Sequence, residues 1–305
     1  MAIITAALLQ SLRVGFQKYF QDGLEQAPSE YTKIATVIKS TTASNTYGWL
    51  GQFPALREWI GARVVQNMKE HGYNIVNKLW ESTVGVKRTD IEDDNLGIYG
   101  PLFIEAGRAS NAHPDIQVFS LLAKGDSNLC YDGQNFFDTE HPVYPEEDGT
   151  GTPVMVSNLF AGTDADAPAW FLLDTSRALK PLIYQERIKP NFTALTGETD
   201  AVVFNTDEYQ YGIRARNNVG YGLWQLAAMS TLPLNAENFE KVYDAMRALK
   251  ADGGRPLNVK ATVLVVPTTL RAAAKKVVGT ALLPGGGDNP NYGLVDVLDV
   301  AWLNK

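Results

Sequence analysis

The chain has 305 residues, 45% of them hydrophobic and 20% charged, which is enough apolar material for a real core and, at about 150 residues per domain, for about two domains. Its 27 Lys and Arg against 34 Asp and Glu leave a net charge of -7, which argues against a dedicated nucleic-acid or anionic-membrane binder. One cysteine, Cys130, excludes an internal disulfide and a multi-thiolate metal site, no segment approaches the ~18 apolar residues of a membrane span, and no basic patch precedes an apolar run at the N-terminus.

The first stretch predicts an amphipathic helix. Leu8, Leu9, Leu12, Phe16, Tyr19 and Phe20 recur at helical spacing, with Thr5 placed to cap it and Gly23 to end it. So narrow a helix must dock, on its own domain or on a neighbour. Over residues 40–61 glycines and aromatics alternate without a period. Residues 62–69 and 73–81 then read as two strands joined around 70–72, with Tyr73, Ile75 and Leu79 on one face of the second and Val76 and Trp80 on the other. A two-stranded ribbon that is apolar on both faces is marginal in water, and it aggregates unless a local sheet or another copy of the chain covers it.

Thr89, Asp90, Ile91 and Glu92 have the form of a capping box, and Ile91, Ile98, Leu102 and Ala109 make an apolar stripe behind it. Pro101 is expected to kink this helix, and Pro114 to open a further helical stretch with Ile116, Phe119 and Leu122 inward. A polar and aromatic loop follows at 129–142. Strands are expected at 170–174, 182–187 and 209–216, and, after an Asn217-Asn218 turn, at 223–229. In the last quarter Asn235 caps a helix whose stripe is Phe239, Val242, Tyr243, Met246 and Leu249. A buried strand at 263–266, an alanine-rich helix from Thr268 to Val278 and a closing strand within 293–303 complete a compact α/β unit.

Searches for chemistry return little. There is no nucleophile elbow, phosphate loop or His-Glu-x-x-His pair, and Gly220-Tyr221-Gly222 lacks the third glycine of a dinucleotide fingerprint. Asp132, Asp138, Glu140 and His141 place oxygen and nitrogen ligands on one loop, which leaves a structural loop and a metal or catalytic site both open. Cys130 reads as a packed thiol. Lys69 and Lys78 guard an edge strand or, as in some shell proteins, link covalently to a neighbour's asparagine. Arg271, Lys275 and Lys276 form a basic face that suits either a solvated helix end or DNA phosphates.

The order of several long strings is recognisable: residues 44–51 (SNTYGWLG), 92–99 (EDDNLGIY), 130–137 (CYDGQNFF), 140–145 (EHPVYP), 185–187 (QER) and 220–222 (GYG). On these the chain resembles the major head (capsid) subunit of Mu-like bacteriophages over most of its length. The resemblance implies an α+β chain with the tailed-phage major capsid fold of the Hong Kong 97 type. Its parts would be an N-terminal arm at 1–45, an E-loop hairpin at 46–88, a peripheral domain at 89–230 with a spine helix at 89–125, and an axial domain at 231–305.

The implied function is a major capsid protein, not an enzyme and without cofactor, that self-assembles through hexamers and pentamers into an icosahedral shell around double-stranded DNA. Implied partners are other copies of the chain, a scaffolding protein and a portal during assembly, a decoration protein, and DNA held weakly and non-specifically, with no membrane. Only about forty residues precede the glycine-aromatic stretch, so the scaffold is expected to be a separate protein. Candidate inter-subunit contacts are Trp59, Arg63, Lys69, Tyr73, Ile75, Val76, Lys78 and Trp80. Two alternatives stay open: a cellular nanocompartment shell of the same fold, and a metal-dependent enzyme using the 132–141 loop.

Overall fold

The structure, a computed structural model, describes residues 4–26, 28–51, 72–93, 95–164, 166–197, 199–283 and 285–304. The strand expected at 62–69 lies outside the described residues, as do Trp59, Arg63 and Lys69. Along the chain come α1 (Ala6–Gln26), α2 (Tyr31–Ile34), β1 (Ala35–Lys39), β2 (Ser44–Thr46), β3 (Asn74–Val76), β4 (Lys78–Lys87), α3 (Arg88–Glu92) and α4 (Tyr99–Ala123). Next are β5 (His141–Val143), β6 (Val154–Val156), β7 (Leu159–Phe160), β8 (Trp170–Leu173), β9 (Leu182–Leu195), α5 (Ala201–Thr206) and β10 (Glu208–Tyr221). The chain closes with β11 (Ala227–Ser230), α6 (Ala236–Arg247), β12 (Val263–Pro267), α7 (Arg271–Val278) and β13 (Asp296–Val300).

The first sheet has the order β1-β9-β10-β4, with β1 parallel to β9 and the other pairs antiparallel. β10 passes straight through Asn217 and Asn218, where a turn was expected. Both residues pair with β9, next to a register shift, and the buried Asn217 side chain accepts a hydrogen bond from Gln117 Nε2 at 3.0 Å. Partners on other elements thus override the turn preference of asparagine. One face of the sheet is covered by α1 and the first half of α4 through an aromatic cluster. Phe16 stacks on Phe103 with centroids 4.4 Å apart and meets Tyr211 edge-on at 5.1 Å.

α1 starts as expected, with Thr5 Oγ1 accepting the Leu8 amide at 3.2 Å. It runs past Gly23, which is buried at the crossing with α4 and does not end the helix. The helix therefore docks on its own chain.

The spine departs from expectation at four points. Thr89 lies inside the five-residue α3 and makes no capping bond, because β4 extends to Lys87; Glu92 faces Arg88 instead, at 3.5 Å. Pro101 does not kink the helix, since it falls in the first turn of α4, where its missing amide would have had no partner. Pro114 sits inside α4 and opens nothing. The buried stripe matches expectation only in part: Ile91, Phe119 and Leu122 face inward as expected, whereas Ile98, Leu102, Ala109 and Ile116 are exposed and Tyr99, Phe103, Gly107 and Val118 are buried in their place. In the first turns of α4 the aromatic rings of Tyr99 and Phe103 claim the core side, and Leu102 is left outside.

The second sheet, β13-β12-β8-β11-β7, holds the larger core. Every residue of β8, β11 and β12 is buried, the pattern of strands covered on both faces. α6 is capped as expected, Asn235 Oδ1 accepting the Asn238 amide at 2.9 Å, and its Phe239, Val242 and Met246 are buried. Of the strand expected at 223–229, only the second half forms; Trp224–Leu226 is a buried 3-10 turn. The sheet draws β7, β8 and β11 from before residue 231, so the terminal α/β unit reaches back into the middle of the chain.

Candidate assembly surface

β2 and β3 pair antiparallel, Ser44 opposite Val76 and Thr46 opposite Asn74. β4 then continues along β10 as the edge of the first sheet. This is the stem, and it is fixed by buried polar groups. Asn77 separates β3 from β4 and turns its side chain inward. Its Nδ2 donates to Ser40 Oγ and to the Thr42 carbonyl, both at 2.9 Å, and its Oδ1 accepts from Gln185 Nε2 at 2.9 Å. Gln185 also donates to the Ile75 carbonyl at 3.0 Å and accepts the Tyr47 hydroxyl at 2.8 Å. Asn218 Nδ2 adds a bond to the Val76 carbonyl at 2.7 Å.

The anchor divides the expected contact residues. Ile75 is buried in its own chain against Gly220, where a Cβ would overlap the isoleucine side chain, and so offers nothing to a neighbour. Tyr73 is half-buried; its hydroxyl accepts the Tyr221 amide at 2.7 Å, and burial pushes its pKa up to about 12. Trp80 is also half-buried. Its indole donates to the Asn217 carbonyl at 3.3 Å and meets the His113 ring at 4.5 Å, on the wall of a groove of about 790 Å³ between α4 and the first sheet. Burial holds His113 below the usual histidine range. Val76, at 56% exposure, and Leu79, at 60%, face solvent on either side of the exposed Lys78. Leu79 was not among the expected contacts; alternation put it on the face of Ile75, but the break at Asn77 leaves Ile75 buried and Leu79 exposed. Tyr47 and Gln185 lie in strings that carry the family resemblance, but nothing in the sequence assigns them, Ser40 or Asn77 to one hydrogen-bonded anchor.

The 130–141 loop is a closed hydrogen-bonded knot. His141 is fully buried, stacks on Trp224 at 4.0 Å and donates from Nδ1 to Asp132 Oδ2 at 2.7 Å, while its Nε2 lies 3.2 Å from Asn158 Oδ1. The Cys130 thiol, raised by burial, donates to Asp132 Oδ1 at 3.1 Å. Asp138 caps the amides of Asn135, Thr139 and Glu140, and Glu140 itself is exposed. The four expected ligands do not converge. Among the described residues Cys130, Asp132 and His141 stand close enough to share an ion, but each already satisfies another. The geometry is that of a structural knot.

Comparison with known proteins points one way. The family model of the Mu-like prophage major head subunit gpT matches residues 9–303. The chain is 49% identical over 284 residues to the major capsid protein of Escherichia phage Mu, covering 93% of each. It is 51% identical over 280 residues to the Mu-like prophage FluMu major head subunit of Haemophilus influenzae, covering 91% of each. Among solved structures it is similar to the procapsid of bacteriophage JBD30, with a TM-score of 0.86 and 68% identity over 98% of this chain and all of that one. The JBD30 capsid aligns with a TM-score of 0.75 and 53% identity over 99% of this chain and all of that one.

Proposed function

Because the chain belongs to the family of Mu-like prophage major head subunits, we propose that it builds an icosahedral shell of hexamers and pentamers by docking the stem of β2, β3 and β4 on sister copies. It is the major capsid protein of a Mu-like tailed phage, its fold is the tailed-phage capsid fold of the Hong Kong 97 type, and its place is the virion. Its relatives are structural capsid proteins, and we read this chain as working through geometry and not catalysis. The nanocompartment and metal-enzyme readings are not favoured. The likenesses run to phage head subunits, and the donors of the 130–141 loop satisfy one another.

One observation carries the docking proposal: Val76 and Leu79 stand exposed on backbone that Asn77, Gln185 and Asn218 hold rigid from beneath. A polar anchor that fixes an apolar surface in the open is useful only if something covers that surface. Burying each side chain on a neighbour contributes about 1.5–3 kcal/mol, and closure of a shell couples many such contacts. We assign the axial part to the second sheet with α6 and α7, so that it takes in β7, β8 and β11 besides residues 231–305. The arm is 1–45, the E-loop 46–88, and the peripheral domain is built on the first sheet and the spine. A scaffolding protein and a portal act during assembly, and packaged DNA touches the wall weakly. The JBD30 capsid is decorated with minor capsid protein trimers, and we extend a decoration protein to this shell.

The test is a V76D/L79D double variant expressed beside wild type under assembly conditions. Both side chains face solvent in the subunit, so the variant keeps the wild-type circular dichroism but yields no particles by negative-stain microscopy. Intact shells from the variant would overturn the docking role of the stem.

A further inference from the structure

β11 and β12 are both antiparallel to β8, which lies between them, β12 is parallel to β13 and β11 to β7, so four strands of the second sheet run in one direction and β8 alone opposes them. Right-handed crossovers then set α6 and α7 on the same face. Phe239 and Met246 of α6 share one core with Ala274 and Val277 of α7. α6 lies toward the β7 edge, where Met246 stands near Phe160 and Ala228, and α7 lies over β12 and β13 at the opposite edge.

The outer faces of the two helices differ in sign. α6 exposes Glu237, Glu240 and Asp244, a stripe at helical spacing, with Lys241 as the one cation among them; Arg247, at its end, is engaged on Asn258 and the Val259 carbonyl. α7 exposes Arg271, Lys275 and Lys276 and contains no acid. Asn291 Nδ2 donates to Glu240 at 2.7 Å, while Glu237, Asp244 and the three α7 cations have no ion-pair partner among the described residues. One side of the unit is thus acidic and the other basic, and neither is neutralised by an ion pair among the described residues.

We propose that in the ring of a capsomer α7 of one copy docks beside α6 of the next, so that Arg271, Lys275 and Lys276 meet Glu237, Glu240 and Asp244 head to tail. The proposal deepens the assembly reading above and rests on it. A head-to-tail contact uses each flank once per copy and closes a ring, which is what two opposite-signed flanks on one unit permit. Turning one copy around would set α7 against α7, six cations together, so the charges fix orientation as well as attraction. Each exposed pair is weak by itself; repetition around the ring makes the contact selective.

The experiment compares wild type, K275E/K276E, E237K/D244K and the combined quadruple variant, each scored for shells by sedimentation and negative stain and for fold by circular dichroism. We expect shells from wild type, their loss in both double variants with the fold intact, and their return in the quadruple variant. Shells from both double variants, or loss without return, would overturn the α6–α7 contact. So would K275E/K276E shells that form normally but hold no DNA, since that hands the basic flank to phosphates. If wild type itself makes no shells, the assembly reading fails first, and this inference with it.

Discussion

Gly23 of α1 and Gly107 of α4 meet backbone to backbone: a Cβ added at Gly107 would stand 3.0 Å from the Gly23 Cα and overlap the Phe20 carbonyl oxygen, and one added at Gly23 would overlap the Ile104 carbonyl oxygen. The arm helix is held by this crossing, and the aromatic cluster of Phe16, Phe20 and Phe103 closes around it. Alanine is the better helix former by about 1 kcal/mol, yet here its methyl must push two helices apart, at a cost of about 1–3 kcal/mol. G107A is therefore expected to lower the melting temperature of the unassembled subunit. G15A, on the same helix in open space, is expected to raise it. A G107A melting point at or above wild type would contradict the crossing.

Tyr211 and Tyr221 make an opposed pair of tests. The Tyr211 hydroxyl is buried in the aromatic cluster with no hydrogen-bond partner among the described residues, and burial pushes its pKa up to about 12. Removing an unsatisfied hydroxyl relieves a desolvation penalty, so Y211F is expected to be neutral or stabilising by up to about 1–2 kcal/mol. Y221F loses the bond to the Leu121 carbonyl at 2.8 Å and is expected to cost about 1 kcal/mol. Urea unfolding of both variants decides, and the reverse order would refute the assignment.

Much of the second sheet was legible in the chain because its signals are local. Asn235 caps α6, the stripe from Phe239 to Met246 faces inward, and β8 and β12 are short buried runs where expected. The stem and the spine were not. Whether a proline starts a helix or sits inside one depends on where the helix begins, and α4 begins only after β4 and α3 have run out. Which face of α4 is buried depends on the aromatics of α1 and β10, distant in sequence. The anchor of Ser40, Asn77 and Gln185 joins three segments distant in sequence; residues 182–187 read as an ordinary strand, and the 185–187 string marks a resemblance without showing what Gln185 bonds to. Glu140 and Asp138 looked alike on the loop, but only the fold shows one capping amides and the other in solvent.

Acid should weaken the 130–141 knot. Burial works against the Asp132 charge, but His141, Cys130 and the Gln134 amide hold its carboxyl below the usual aspartate range. A carboxyl depressed by folding contributes stability above its unfolded value and loses it as pH falls through the folded one. Wild type is thus expected to lose stability on acidification below about pH 4 more steeply than D132N does. At neutral pH, D132N is expected to be less stable by about 1–3 kcal/mol. Urea midpoints from pH 3 to pH 7 give both slopes, and parallel profiles would remove Asp132 from the account.

Gly220 tests whether stem position matters apart from stem chemistry. A Cβ there would overlap the Ile75 side chain and stand 3.1 Å from the Tyr73 hydroxyl. G220A is expected to displace β3 while β9 and β10 stay paired, giving near-wild-type circular dichroism and few or no particles. Normal particle yield from G220A would mean that the stem tolerates displacement.

The most direct measurement is a near-atomic map of the assembled particle. The account predicts that Val76 and Leu79, open in the single subunit, lie against a sister subunit in the finished shell. A shell in which both side chains still face solvent would contradict it.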